Sequence, residues 1–425
     1  MRANAWRLDE LRLILAACLL AALGVSLVSL GSRGVVSPTS LLPAVVLAAS
    51  LLIGWLWLRI RCGKADQVLF PLAGILSAMG IILVFRLEPD SSVHQLIWMV
   101  TGITLMLATA SFPRLLGWLK RYKYTWMIAG IGLVALTLVF GVDPNGSGAR
   151  LWLGFGENVF QPSEMLKVLL VVFLAGYVDD KREIISYGTY RLGPLQLPAL
   201  PYLAPMLAMW GLSILLLLGQ KDLGATFLLF AAFLAVLYMA SSRLIYVWGG
   251  LAMFLVAAYG AYHVSNHVAT RVDVWLNPWV DSDGKGYQII QSLLAFASGG
   301  IFGTGLAKGY PKTVPAVHTD FPLAAIGEEL GLLGTLGVLA LYLLFVYRGF
   351  KIALEARNTF SQMLAAGVTA SVGIQTLIIA AGNIKLIPLT GITLPFISYG
   401  GSSLVTNFII VGLLLRISQE SAGAP

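Results

Sequence analysis

Residues 199–241 read ALPYLAPMLAMWGLSILLLLGQKDLGATFLLFAAFLAVLYMAS, two apolar runs parted only by Gln220, Lys221 and Asp222. Each run is close to the ~20 residues that an α-helix needs to cross the hydrocarbon of a bilayer at ~1.5 Å of rise per residue. A segment in lipid has to satisfy its own backbone N–H and C=O groups, so runs of this kind are predicted to be helices, here joined by a tight polar turn. Working outward, about twelve such windows appear, near 11–31, 41–60, 67–86, 93–112, 123–141, 162–178, 199–219, 222–241, 243–263, 322–347, 360–382 and 398–418. The first is too long for a removable signal peptide and is followed by no small-residue cleavage site, so it is read as an anchor. The predicted fold class is all-α: a polytopic membrane protein with about 12 transmembrane helices.

Composition agrees. The 425 residues are 58% hydrophobic and 11% charged, with a mean hydropathy of +0.84, against ~25% charged in a soluble globular domain, which excludes a cytosolic enzyme. The two cysteines, Cys18 and Cys62, lie in or beside apolar windows, so neither a disulfide framework nor a cysteine metal site is expected. The net charge of +8 is scattered between apolar runs and is read as topology, with no nucleic-acid partner. About two thirds of the 28 Lys and Arg, from Arg2, Arg7 and Arg12 to Arg348, Lys351, Arg357 and Arg416, fall in alternate connections. That bias predicts that both termini are cytoplasmic and that the segments near 142–161, 264–321 and 383–397 lie outside.

Connections longer than ~15 residues are usually functional or disordered, and 264–321 is the outlier here. It carries Trp275, Trp279, Tyr287 and an apolar run, Ile289-Ile290, Leu293-Leu294 and Phe296, spaced for one helical face but too short to span. An interfacial or re-entrant helix is expected there. Gly299-Gly300, Gly303, Gly305 and Gly309 follow, either as a flexible, backbone-rich stretch or as a glycine-rich surface turn.

Ionisable groups inside a bilayer cost ~2.5–3.5 kcal/mol each on insertion scales, so each asks for a reason. In Gln161-Pro162-Ser163-Glu164-Met165-Leu166-Lys167, Pro162 suits a first helical turn and Glu164 the positive dipole end. Glu164 and Lys167, three apart, share a face. They form either a self-neutralising pair or a polar cavity where Lys167 meets an anionic ligand and Glu164 holds it in place. Asp222 is a helix cap or a second such group. Arg150 is a third cation on the same side, suited to phosphate oxygens by its paired donors. In Val317-His318-Thr319-Asp320-Phe321-Pro322, Asp320 is either a near-capping carboxylate or a general base at the water–lipid boundary. His318 reads as a hydrogen-bonding neighbour, since no second histidine stands at ligand spacing. At Ser398-Tyr399-Gly400-Gly401-Ser402-Ser403, small residues permit close helix approach, or hydroxyls and N–H groups hold a diphosphate. No P-loop and no His-Glu-x-x-His motif occurs, which disfavours a nucleotide-driven pump and a zinc protease.

Taken in order, Gln161-Pro162-Ser163-Glu164, Gly286-Tyr287-Gln288 with Gln291-Ser292, Ser298-Gly299-Gly300, His318-Thr319-Asp320-Phe321, Glu328-Glu329-Leu330-Gly331 and Ser398-Tyr399-Gly400-Gly401-Ser402 resemble the SEDS proteins (shape, elongation, division and sporulation), the RodA/FtsW/SpoVE family. The resemblance covers about 67 to 418. It implies a ten-helix core over 67–425, with its extracytoplasmic loop at 264–321, and makes 1–66 an additional N-terminal transmembrane pair. It also implies a peptidoglycan glycosyltransferase that polymerises lipid II, a disaccharide-pentapeptide on a polyprenyl diphosphate, at the outer face of the bacterial plasma membrane, together with a class B penicillin-binding protein. Asp320 then matches the proposed catalytic aspartate, and Glu164 and Lys167 match functionally important positions. Arg150, Asp222, Gln291, His318 and Ser402 complete the expected substrate-binding set. Two departures stand out: Lys221 replaces the family's usual proline, and Pro322 its commoner isoleucine.

Chemistry and resemblance converge on an inverting displacement. The 4-hydroxyl of an acceptor GlcNAc attacks the anomeric carbon of the donor, Asp320 takes the proton, and Lys167 and Arg150 stabilise the departing diphosphate. The diphosphate is already a good leaving group, so no nucleotide is needed; a divalent cation, Mg²⁺ or Mn²⁺, is a candidate aid whose requirement the sequence leaves open. The alternatives are a flippase for the same precursor and a scaffold that recruits a transpeptidase.

Overall fold

The structure, a computed structural model, describes residues 7–143, 150–155, 158–187, 190–192, 195–197 and 200–422. Arg2, Gly148 and Ala149 lie outside the described residues. Apolar runs become helices as expected: α1 (Leu8–Arg33), α2 (Leu42–Arg61), α3 (Leu69–Leu87), α4 (Ser92–Ser111), α5 (Leu115–Arg121), α6 (Lys123–Phe140), α7 (Pro162–Tyr187), α8 (Leu200–Gly219), α9 (Leu223–Ser241), α10 (Leu244–Val264), α11 (Asn266–Leu276), α12 (Tyr287–Gly299), α13 (Pro322–Leu354), α14 (Thr359–Asn383) and α15 (Gly401–Ala422). Two small antiparallel hairpins accompany them, β1 (Leu153–Phe155) with β2 (Asn158–Phe160) before α7, and β3 (Tyr190–Leu192) with β4 (Leu195–Leu197) after it.

Among the described residues ten helices are long and apolar enough to cross a bilayer: α1 to α4, α6, α9, α10 and α13 to α15. The chain is a multi-pass membrane protein. The two other expected spans are α7, which is 26 residues long but includes Glu164, Lys167, Asp179 and Asp180, and α8, whose apolar part is the shorter Leu203–Gly219. A topology of twelve spans depends on those two helices.

The chain divides into two compact units. The first comprises Met1–Ser111, Tyr262–Arg348 and Gln375–Pro425. In it α1 packs on α3 and α2, and α4 lies along α15. A Cβ at Gly102 would stand 2.7 Å from the Phe408 ring, and one at Gly412 2.7 Å from the Met106 carbonyl, so small residues set that helix approach. The N-terminal pair is stitched to this unit. The buried Arg7 guanidinium pairs with Glu10 at 2.5 Å and donates to the carbonyls of Cys62 at 2.7 Å and Asp66 at 3.1 Å.

Between α10 and α13, α11 and α12 are too short to span, in accord with a non-spanning helix in that stretch. The glycine-rich segment after α12, expected to be a flexible stretch or a surface turn, is instead pinned by backbone hydrogen bonds to α13. α13 breaks at Gly331 (φ 70°, ψ −168°), where a Cβ would meet the Gly303 nitrogen at 2.3 Å. The broken helix finds replacement hydrogen bonds in the segment itself: Thr304 N–H donates to Glu328 O, Gly305 N–H to Glu329 O, and Leu332 N–H to Gly300 O, all within 3.0 Å. Arg86 braces the junction, reaching Glu329 at 3.2 Å and Gly309 O at 3.1 Å.

The second unit comprises Phe112–Ala261 and Gly349–Ile374. α7 packs on α6 and α9, and Lys123 fastens α6 to Asp180 of α7 at 2.7 Å. Trp210 of α8 stacks on Phe233 of α9 with ring centroids 4.7 Å apart.

Candidate active site

Asp320 ends the segment that leads into α13. Its N–H donates to Ala316 O at 2.9 Å, which curls the chain into a turn. The carbonyls along this turn are then claimed one by one. Gln288 of α12 donates to Pro315 O at 2.9 Å, the Tyr399 N–H to His318 O at 2.8 Å, the Ser398 hydroxyl to Thr319 O at 2.6 Å, and the Asn383 amide to Asp320 O at 2.9 Å. The backbone carrying the candidate base is therefore held from three separate stretches of sequence.

The carboxyl of Asp320 is half-buried and shares its surroundings with Arg271 of α11: a Cβ at Gly391 would lie 3.7 Å from Asp320 Oδ2 and 3.8 Å from Arg271 Nη2. Arg271 is aimed by the carbonyls of Leu389 and Thr390, each 2.9 Å from Nη1. Burial pushes the Asp320 carboxyl above its ordinary range, while a hydrogen bond from Thr319 and the charge of Arg271 pull it back. His318 is half-buried with its ring 5.8 Å from that of Tyr399; burial lowers its basicity, opposed by the Glu88 carboxylate. Gly391 has φ 70°, where a side chain is strained. Gly391→Ala is expected to destabilise the folded chain by about 1–3 kcal/mol, seen as a lower melting temperature in detergent; an unchanged melting temperature would refute the assigned strain.

In the second unit, Pro162 opens α7, and one turn of helix brings Lys167 Nζ to 2.7 Å from Glu164 Oε2. The ammonium is 2% exposed and the carboxylate 11%. Both readings of the pair begin from this contact. Asp222 caps α9, accepting from the Ala225 N–H at 2.9 Å, and also accepts from Gln161 Nε2 and Ser163 Oγ, each at 3.3 Å. The capping role is thus realised, and the same carboxylate joins the start of α7 to the start of α9. Gln220 completes the turn by donating to Val134 O of α6 at 2.8 Å. Lys221 has φ 62°, a conformation closed to proline, so the turn differs from one built on the family's usual residue. Arg150 is exposed, with its backbone against Gly141 at the end of α6.

The expected residues therefore fall into two groups. Gln291, His318, Asp320 and Ser402 belong to the first unit, and Arg150, Glu164, Lys167 and Asp222 to the second. Gln291 is half-buried on α12, and Ser402 is buried in the first turn of α15, which Gly401 opens directly after Gly400. Sequence reasoning missed Arg271 and Asn383 altogether. It quoted Ser398 only as a member of a small-residue motif. A lone arginine in a long loop and an asparagine at a helix end carry no local signal of their partners.

The family model described as "Cell cycle protein", FTSW_RODA_SPOVE, matches residues 63–423. Peptidoglycan glycosyltransferase RodA of Mycobacterium tuberculosis is 40% identical over 366 residues, 83% of this chain and 78% of that one. A probable peptidoglycan glycosyltransferase FtsW of Geobacter metallireducens is 31% identical, covering 85% of this chain and 96% of that one. Among solved structures, one from a study of how a peptidoglycan synthase complex coordinates polymerization and crosslinking superposes with a TM-score of 0.69 at 28% identity, covering 85% of this chain and 99% of that one. Rod shape determining protein RodA of Thermus thermophilus gives 0.60 at 25% identity, with 84% and 97% covered. With the motifs in order, the helices that carry them in place and these likenesses along most of its length, the chain belongs to the FtsW/RodA/SpoVE family.

Proposed function

We propose that this chain is a peptidoglycan glycosyltransferase that polymerises lipid II into glycan strands at the outer face of the bacterial plasma membrane. The observation that carries the reading is Asp320: a carboxyl made more basic by its surroundings, on a backbone held at successive carbonyls, in a chain whose relatives bear the name of that activity. A general base works best when its pKa moves toward the operating pH, and burial moves this one in that direction. The acceptor's 4-hydroxyl oxygen forms the new bond to the anomeric carbon, the bond to diphosphate breaks with its electron pair leaving on the diphosphate, and the hydroxyl proton passes to Asp320. Inversion follows from a single displacement. Lys167, held by Glu164, and Arg150 supply the positive charge that the departing diphosphate needs.

Among the described residues no three His, Cys, Asp or Glu side chains gather as a metal site. A divalent cation, Mg²⁺ or Mn²⁺, would add positive charge at the departing diphosphate, as such ions do where substrate phosphates supply part of their coordination. The excess of Lys and Arg in alternate connections supports cytoplasmic termini and an outward-facing 264–321 segment. The structural relative's setting in a complex that couples polymerization to crosslinking supports a class B penicillin-binding protein as partner.

The pH dependence follows from the same carboxyl. The acid limb of kcat/KM reports the free base, so it is expected above the ordinary aspartate value of about 4. Arg271→Gln removes a charge that favours the ionised form and is expected to move that limb to higher pH. Rates of glycan synthesis measured across pH check this; a limb that stays put or moves down would exclude Arg271 as the charge that tunes Asp320. Purified protein given labelled lipid II separates the broader readings. Polymer is expected; transfer between leaflets without polymer would mean a flippase, and neither would mean a scaffold.

A further inference from the structure

Asp320 hangs from two peptide planes, and each has its own dedicated donor. We propose that Asn383 and Ser398 are positioning residues that aim the Asp320 carboxyl at the acceptor hydroxyl, an inference that rests on the reading of Asp320 as the general base.

Asn383 is the last residue of α14 and fully buried. A backbone carbonyl only accepts, so the amide must turn Nδ2 toward Asp320 O, at 2.9 Å. That orientation leaves Asn383 Oδ1 buried and without a hydrogen-bond partner among the described residues. An unsatisfied buried oxygen costs about 1–3 kcal/mol, so packing alone would favour an apolar side chain of similar volume. What the asparagine adds is its donor. The residue is itself held in place, since its own carbonyl accepts from the buried Ser292 hydroxyl of α12 at 2.9 Å.

Ser398, 3% exposed, uses its hydroxyl in both directions. It accepts from the Leu394 N–H at 2.8 Å and donates to Thr319 O at 2.6 Å. The first bond fixes the hydroxyl, so the second has one direction only. Beside it the Tyr399 N–H holds His318 O at 2.8 Å. With the peptides on both sides of Asp320 Cα immobilised, the Cα–Cβ direction is set before substrate arrives. Displacing a catalytic group by ~1 Å costs about 10²-fold in rate, which gives these two bonds catalytic weight although neither side chain meets the reacting atoms.

The experiment measures kcat, KM for labelled lipid II and melting temperature on the purified full chain carrying Asn383→Ala, Ser398→Ala or Asp320→Asn. Each alanine variant is expected to lose about 10–10²-fold in kcat with KM within twofold. That pattern marks a group needed only in the transition state. Ser398→Ala deletes a single oxygen and decides the matter if Asn383→Ala does not fold. Parent-like kcat in the alanine variants, with Asp320→Asn inactive, would overturn the positioning role alone. A loss of activity that merely tracks the fraction unfolded at the assay temperature would overturn it too. Full activity in Asp320→Asn would instead remove the general base on which the inference stands.

Discussion

Asp320→Asn is expected to insert and fold like the parent chain and to lose about 10²–10⁴ in the rate of glycan polymerisation, the usual worth of a general base. The substitution is isosteric and leaves Asp320 O, Thr319 O and His318 O with their donors, because every one of those bonds is made to the backbone. It removes the capacity to accept a proton, together with the negative charge that faces Arg271. The carboxyl is already biased toward its neutral form by burial, so the neutral amide disturbs the folded state little. Glycan synthesis from purified lipid II, read beside a melting curve, separates chemistry from folding. Near-normal polymerisation by a well-folded Asp320→Asn protein would defeat the assignment.

The second large effect concerns α7. Lys167 and Glu164 form a contact of 2.7 Å at 2% and 11% exposure. Removing one partner from such a pair strands the other charge, at a typical cost of about 3–5 kcal/mol, whereas replacing both by neutral side chains is often close to neutral. Lys167→Met is thus expected to lower stability sharply and abolish polymerisation. The double variant Glu164→Gln with Lys167→Met is expected to recover most of the stability and none of the activity, because the positive charge for the leaving diphosphate is still missing. If the double variant polymerises lipid II like the parent, the pair is a structural neutralisation and nothing more.

These experiments bear on two groups of residues that were legible to different degrees. Asp320, Glu164 and Lys167 stand out in the sequence because ionisable groups beside or within apolar windows are expensive and therefore few. Their immediate roles follow from short spacing: Glu164 and Lys167 meet because residues three apart share a helix face. Asp222 caps α9, as a carboxylate ahead of an apolar run should, yet its second task of receiving Gln161 and Ser163 was invisible, since it joins positions 61 and 59 apart. The glycine-rich stretch after α12 was read from the sequence as flexible or as a surface turn, and both readings give way. The break at Gly331, whose orphaned backbone groups that stretch satisfies, decides for an ordered, hydrogen-bonded element.

The sequence by itself determined the helices and their membrane character, because a bilayer imposes one length and one polarity on every segment that crosses it. Read as ordered motifs, it also determined the family. Tertiary structure alone decided what holds the candidate base. Asn383 lies 63 positions from Asp320, Ser398 79 from Thr319, and Arg271 118 from Leu389. A hydrogen bond between such groups depends on where packing brings two distant segments, and hydropathy, which averages over neighbours in the chain, holds no record of that meeting.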